Sequence, residues 1–217
     1  TAIHHVLTRR GVMIGDVVGL GKTLMASALI RIFGDDHDWR TLIICPKNLE
    51  RMWKDYRHDY NLQAEIMSLT SISDENLEEL KRFHLIVIDE SHNLRNREGL
   101  RHRALRRYIE RNDSRVVLLT ATPYNKSYED LSSQLRLFID EGDDVGVRPE
   151  RLLNEMAETG KPWEHQCGLR SIAAFEKSAF ADDWRDLMRL YLVRRTRSFI
   201  KENYALPRTG PGRKYLE

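Results

Sequence analysis

Short apolar runs alternate with longer stretches of mixed polarity along the first half of the chain. Gly11-Val-Met-Ile-Gly15, Thr41-Leu-Ile-Ile-Cys45, Ala64-Glu-Ile-Met-Ser68, Leu85-Ile-Val-Ile-Asp89 and Val116-Val-Leu-Leu-Thr120 are rich in β-branched residues and bounded by turn or cap residues. That pattern predicts buried strands. Between them, residues 22–33, 48–60, 74–82 and 99–111 carry helix-type spacing, and Leu100, Ala104, Leu105, Tyr108 and Ile109 line one face of the last. Regular alternation of strand and helix predicts right-handed crossovers and an α/β fold, a parallel sheet with helices on both faces. In such sheets ligands gather at the carboxyl ends of the strands.

After about Tyr124 the strand signal stops. Residues 127–139 read as a helix, with Leu131, Leu135 and Phe138 at helical spacing. Glu141-Gly-Asp-Asp-Val-Gly-Val-Arg-Pro149 reads as a loop, and two or three further helices follow up to Tyr191. This tail is expected to be a helical appendage on the first domain. No internal repeat or low-complexity tract is visible.

Composition narrows the class. A chain of 217 residues supports one ordinary domain with a full-sized core and room for a small appendage. With 41% hydrophobic and 31% charged residues it is neither disordered nor membranous by composition. No apolar run approaches a membrane span, and the N-terminus carries no signal-peptide pattern. Cys45 and Cys167 are far apart and lack partners at metal-ligand spacing, which points to a reduced, intracellular setting. His165-Gln166-Cys167 is the nearest approach to a zinc pattern and reads as a surface coincidence. The net charge of +2 announces no polyanionic partner. Arginines nevertheless crowd two stretches, Arg95, Arg97, Arg101, Arg103, Arg106, Arg107 and Arg111, then Arg185, Arg189, Arg194, Arg195 and Arg197 with Lys201. On composition alone, solvated helix faces and polyanion contacts fit them equally.

The chemistry is concentrated at three predicted strand ends. Residues 14–23 leave a strand, pass through a glycine-containing loop and enter a helix. Gly19 and Gly21 let the backbone curl so that its N–H groups point at phosphate oxygens, and the helix adds its positive N-terminal end. Lys22 is expected to reach the β- and γ-phosphates of ATP and the Thr23 hydroxyl to coordinate Mg2+. The nucleotide-binding set is Val18, Gly19, Leu20, Gly21, Lys22, Thr23 and Leu24. Asp16 stands where the usual loop begins with glycine.

The second strand end carries two carboxylates. Asp89 is placed to hold the metal opposite Thr23, directly or through water. Glu90 is placed to orient and polarise the attacking water. The third, Leu118-Leu-Thr120-Ala121-Thr122-Pro123, sets two hydroxyls beside those acids, where they can sense the γ-phosphate.

Gly19-Leu-Gly-Lys-Thr23, Leu42-Ile-Ile-Cys-Pro46, Asp89-Glu-Ser-His92 followed by Asn93-Leu-Arg-Asn96, and Leu119-Thr-Ala-Thr-Pro123 occur in that order. Together they resemble motifs I, Ia, II and III of superfamily-two helicases. Gly-Leu-Gly-Lys-Thr and the later Val193-Arg-Arg-Thr196 narrow the resemblance to the Swi/Snf-like branch, especially its bacterial members. It covers nearly the whole chain. It implies a RecA-like P-loop domain, the first motor lobe of a translocase on double-stranded DNA that hydrolyses ATP.

The resemblance also implies roles. Lys22 and Thr23 match the phosphate and magnesium contacts, and Asp89 and Glu90 the metal-holding and water-activating acids. His92 matches the residue linking nucleotide state to Thr120-Ala121-Thr122. Pro46 and Lys47 fall in the segment that faces the nucleic-acid backbone. Residues 1–139 would form the ATP-binding lobe, 140–193 a helical protrusion belonging to it, and 194–217 the end of the lobe and start of an inter-lobe linker. Arg101, Arg103, Arg106 and Arg107 then read as a solvated face, and Arg194 and Arg195 lie near the lobe boundary.

Three departures stand out. Asp16-Val17 replaces the usual Asp-Glu pair. The adenine-reading glutamine normally precedes an alanine that aligns with Ala2, so the chain is expected to begin just past it. Nothing after Arg195 resembles the second lobe, whose arginines complete the hydrolytic site, and Pro207-Arg-Thr-Gly-Pro-Gly212 looks like linker. The expectation is therefore a piece of a longer, cytoplasmic and nucleoid-associated protein, nearly inactive without its second lobe. Its partners would be the duplex DNA backbone and that lobe, with no membrane. An RNA helicase, a restriction-system motor and a non-catalytic nucleotide-sensing scaffold are the alternatives.

Overall fold

The apolar runs form the strands and the periodic stretches the helices. The computed structural model describes residues 2–15, 21–121 and 127–194. In chain order these hold α1 (Ala2–Arg9), β1 (Gly11–Ile14), α2 (Lys22–His37), β2 (Thr41–Cys45), α3 (Glu50–Asp59), β3 (Ala64–Ser68), α4 (Asp74–Glu78) and β4 (Leu85–Asp89). Then follow α5 (Leu100–Asn112), β5 (Arg115–Leu119), α6 (Tyr128–Leu135), α7 (Glu150–Glu158), α8 (Ile172–Phe175), α9 (Ala181–Tyr191) and β6 (Leu192–Val193).

The strands form one parallel sheet in the order β3-β2-β4-β5-β1-β6. Successive side chains of a strand point to opposite faces, and here both faces are covered. Val12, Ile14, Ile43, Cys45, Leu85, Val87, Val117 and Leu119 pack with Val6 of α1, Leu29, Ile30 and Phe33 of α2, and Trp53 of α3. Met13, Leu42, Ile44, Ile86, Ile88, Val116 and Leu118 pack against α4, α5, α6, α8 and α9 through Leu77, Tyr108, Leu131, Phe175, Trp184 and Leu187. Burial on both sides is why these strands read as unbroken apolar runs rather than as alternation.

The strand signal does not stop at Tyr124. β6 extends the sheet beside β1, and the Gly15 N–H donates to the Val193 carbonyl at 3.0 Å. Two residues directly after an amphipathic helix carry too little pattern to be read from sequence. α8, α9 and β6 are built into the main core, with Trp184 stacked on Tyr128 at 5.3 Å. α7 instead buries no side chain. Its N-terminus is capped from α9, where buried Asp183 accepts from the N–H groups of Arg151 (2.8 Å) and Leu152 (3.2 Å).

Other details depart from the periodicity. α1 precedes the first strand and covers β1, and its Arg9 lies over the Tyr191 ring at 5.5 Å. α2 continues to His37 and ends where Asp38 turns left-handed, with Trp39 stacked on Phe33 at 4.8 Å. Leu100 does not join its predicted apolar face: as the first residue of α5 it is 78% exposed, while His102 is buried there and meets the Ser133 carbonyl at 2.7 Å. Burial pushes the His102 imidazole below the ordinary histidine range. On the same helix Arg101, Arg103 and Arg107 are exposed. Arg106 turns inward to the Arg136 carbonyl, Glu110 and Asp140. No helix among the described residues is long and apolar enough to cross a membrane.

Candidate functional site

Gly15, Pro46, Glu90 and Thr120 follow β1, β2, β4 and β5 directly, so they mark one edge of the parallel sheet. β5 stands between β1 and β4. The ends of β1 and β4 are therefore separated by two strand spacings, about 10 Å. Thr120 is fully buried at the end of the intervening strand, and its N–H donates to the Ile14 carbonyl at 3.1 Å. The start of α2 (the predicted phosphate wall), the acids after β4 (the acid wall) and the threonine thus lie at one edge of the sheet, with the threonine on the strand between the other two.

On the phosphate wall, Gly21 is the N-cap of α2 at φ 80° and ψ 32°, a left-handed conformation that side chains other than glycine adopt only under strain. The first helical bond runs from the Met25 N–H to the Gly21 carbonyl at 2.9 Å. Helix geometry leaves the N–H groups of Lys22, Thr23 and Leu24 without intrahelical acceptors, at the positive end of a 16-residue helix. Lys22 and Thr23 are half-buried, and Leu24 is exposed at the rim. Asp16, Val17, Val18, Gly19 and Leu20 lie outside the described residues, as do Thr122 and Arg195.

On the acid wall, Asp89 is 4% exposed. It projects to the α2–α3 side of the sheet, two positions after Val87. Its Oδ2 accepts from Trp53 Nε1 at 2.9 Å and its Oδ1 from the Glu90 N–H at 2.9 Å. Burial lifts the Asp89 carboxyl above the ordinary range; the Trp53 and Glu90 hydrogen bonds and the Lys22 charge oppose this, and the Glu90 charge adds to it.

Glu90 sits at φ 50° and ψ 49°. Of the five described non-glycine residues with positive φ, Arg10, Asp38, Asn61 and Asp113 follow helix ends, and Glu90 alone follows a strand. Such a conformation costs roughly 1–3 kcal/mol and clusters at functional sites. His92 Nδ1 stands 3.2 Å from Glu90 Oε2, close enough for electrostatic contact but outside hydrogen-bond geometry. Pro46 and Lys47 lead into the turn Lys47–Leu49 beyond β2, on the far side of β4 from the phosphate wall, with Lys47 exposed.

These residues suit a magnesium nucleotide. Among the described residues no group of three or more His, Cys, Asp or Glu side chains gathers to hold an ion by itself. One buried carboxylate, and one hydroxyl on the first turn of a helix at the same sheet edge, match a cation that keeps water and shares phosphate oxygens.

The SNF2-related domain family matches residues 56–209, a span containing Asp89, Glu90, His92 and Thr120. This chain belongs to the SNF2-related domain family. A mouse relative, "DNA annealing helicase and endonuclease ZRANB3", is 25% identical over 150 residues, 57% of this chain and 14% of the relative. The Sulfolobus solfataricus SWI2/SNF2 ATPase core in complex with dsDNA superposes with a TM-score of 0.62 at 18% identity, over 94% of this chain and 43% of that one. The Pyrococcus furiosus Hef helicase domain gives 0.50 at 17% identity, over 64% of this chain and 36% of that one. These likenesses show a RecA-like fold. The chain spans less than half the length of each of these relatives.

Within this SNF2-related lobe, four residues around the acids make contacts that the sequence did not announce. Trp53 is fully buried in α3, whose other residues are largely charged. A lone tryptophan in such a helix signals a core contact but not a bond to Asp89. Ser91 and Gln134, 43 positions apart, form a buried hydrogen bond that no local pattern announces. Cys45 abuts the site: burial, with the Asp89 charge and more weakly that of Glu50, pushes its thiol up to about 12, against a small opposing pull from Lys54.

Proposed function

We propose that this chain is the ATP-binding motor lobe of a nucleic-acid-dependent ATPase, one that moves along duplex DNA with or without separating the strands. The observation that carries the reading is that Lys22, at the start of the helix after β1, and buried Asp89, at the end of β4, stand at the same edge of the sheet on either side of β5.

In this reading Lys22 holds the β- and γ-phosphates, assisted by the N–H groups of Val18, Gly19, Leu20, Gly21, Thr23 and Leu24. Thr23 and Asp89 hold Mg2+, which when bound supplies positive charge to the phosphate oxygens. Glu90 orients the attacking water and takes its proton. His92, beside Glu90, carries the nucleotide state toward Thr120, Ala121 and Thr122. Pro46 and exposed Lys47 face the DNA backbone. A second RecA-like lobe of the full-length chain supplies arginines to the opposite wall. Residues 140–193 belong to this lobe, with α7 as its protruding part and α8, α9 and β6 packed into its core, and 194–217 lead toward that second lobe. A duplex-DNA track implies a cytoplasmic, nucleoid-associated protein.

Calorimetric titration tests the first step. The chain should bind ATP with Mg2+ weakly, and Lys22→Ala should abolish binding. Hydrolysis by the chain alone should be nearly absent, since a missing arginine finger costs ~10³–10⁵ in rate. Robust DNA-stimulated turnover without a second lobe would overturn that requirement. In the full-length protein, duplex DNA should stimulate turnover more than single strands or RNA, with binding that falls steeply as salt rises. Stimulation by RNA alone would reverse the choice of track. No nucleotide binding even at full length would favour a non-catalytic scaffold.

A further inference from the structure

The buried donor on Asp89 is chemically specific. An indole has one N–H and no acceptor, so Trp53 can only donate, and its single donor is spent on the carboxylate. The bond is 2.9 Å long, between a fully buried ring and a carboxyl 4% exposed. With the Glu90 N–H on the other oxygen, the carboxylate has a fixed rotation and keeps lone pairs on both oxygens for a cation. The ring is held independently of the site. α3 packs on β3 and belongs to the layer over β2 and β4, with Tyr56 6.2 Å from the Trp53 ring. Packing alone would accept any large apolar side chain; the hydrogen bond requires an N–H at this point.

We propose that Trp53 is a positioning residue for magnesium, fixing the Asp89 carboxylate in the orientation that binds the ion. It touches neither nucleotide nor metal and acts through Asp89. The inference rests on the magnesium–nucleotide reading of the site. Outer partners of metal-binding groups change metal affinity by about 10- to 100-fold when removed. Loss of this donor should therefore raise the magnesium concentration for half-saturation by about tenfold.

The test uses the chain with ATPγS and compares wild type with Trp53→Phe, titrating Mg2+ at fixed nucleotide and then measuring nucleotide binding in EDTA. The variant should need about tenfold more Mg2+ and bind nucleotide in EDTA as wild type does. A purely structural role predicts equal losses with and without the ion, and that result overturns the proposal. A folded variant with unchanged magnesium dependence overturns it too. Should Trp53→Phe not fold, 15N-indole NMR on the otherwise wild-type chain decides. With four tryptophans in the chain, the Trp53 N–H resonance is assigned by replacing Trp39, Trp163 and Trp184. It should move when Mg2+ is added to the nucleotide complex; an unmoved resonance overturns the proposal. A wild-type chain that binds no magnesium nucleotide removes the nucleotide reading and this inference together. Wild-type binding with an indifferent variant removes this inference alone.

Discussion

The Ser91 hydroxyl donates to the Gln134 side-chain oxygen at 2.8 Å, in a buried contact between the loop after β4 and helix α6. It fixes the residue two positions after Asp89 to an element from the far side of the core. Gln134 is held in turn by its own Nε2 donating to the Asp130 carbonyl at 3.0 Å. Ser91→Ala leaves a buried carboxamide oxygen without this donor, a loss worth about 1–3 kcal/mol. Urea denaturation should show that loss as a lower midpoint with an unchanged slope. A midpoint within error of wild type would contradict it.

Buried Arg136 and half-buried Glu176 form a second tie, with Nε and Nη2 of the arginine on the two carboxylate oxygens at 3.1 and 2.9 Å. Burial works to raise the Glu176 carboxyl, but the bonds from Arg136 and Ser132 and the Arg97 charge outweigh it and hold it below the ordinary value of 4.5. A carboxyl depressed in the folded state contributes stability above its unfolded value, and that contribution disappears as pH falls through the folded value. Glu176→Gln should therefore cost about 2 kcal/mol at neutral pH, from weaker bonds to a charged partner. The gap to wild type should narrow as pH falls below the ordinary value of 4.5, and thermal melts across pH measure it. A gap that stays constant or widens would refute this assignment.

Two glycines of the β1 region should respond differently to alanine. A methyl group on Gly11 would lie 2.7 Å from the Phe138 ring, a flat group packed in the core. A methyl group on Gly15 would meet the Leu192 side-chain end at 2.6 Å, with the next Leu192 atoms at 3.6 and 3.7 Å. The leucine end can rotate away, whereas the ring must shift as a body. Gly11→Ala should cost about 1–3 kcal/mol from overpacking. Gly15→Ala should cost clearly less, and equal losses in chemical denaturation would count against the argument.

Cys45 and Cys167 should differ in reactivity. Cys45 is buried and its thiol is pushed up to about 12, so it carries almost no thiolate at pH 8. Cys167 is half-exposed. Iodoacetamide at that pH should modify Cys167 in the native chain and reach Cys45 only after unfolding. Mass spectrometry finding both labelled at similar rates would show that the end of β2 is open to solvent.

Much of the sheet was legible because burial on both faces imposes continuous apolar runs, and five of the six strands follow from those runs. β6 was not, because Leu192-Val193 gains its strand identity from pairing with Met13 and Ile14, not from its own pattern. Leu100 fails for the converse reason: spacing identifies a helical face but not where the core beneath it ends. Within the candidate site, Lys22, Asp89 and Glu90 were readable as candidates since each stands at a strand-to-helix or strand-to-loop transition.

The linear order of residues determined the parallel α/β class, the strand ends, and which side chains are candidates for holding phosphate and metal. Local rules of periodicity, turn formation and charge suffice for that. Tertiary structure decided which groups meet. It placed β5 between the two walls, gave the Asp89 oxygens to Trp53 and Glu90, and joined Ser91 to Gln134. The Trp53 and Gln134 pairings join helices to separate strand ends, and only the packing of helices onto both faces of the sheet brings them within hydrogen-bond distance.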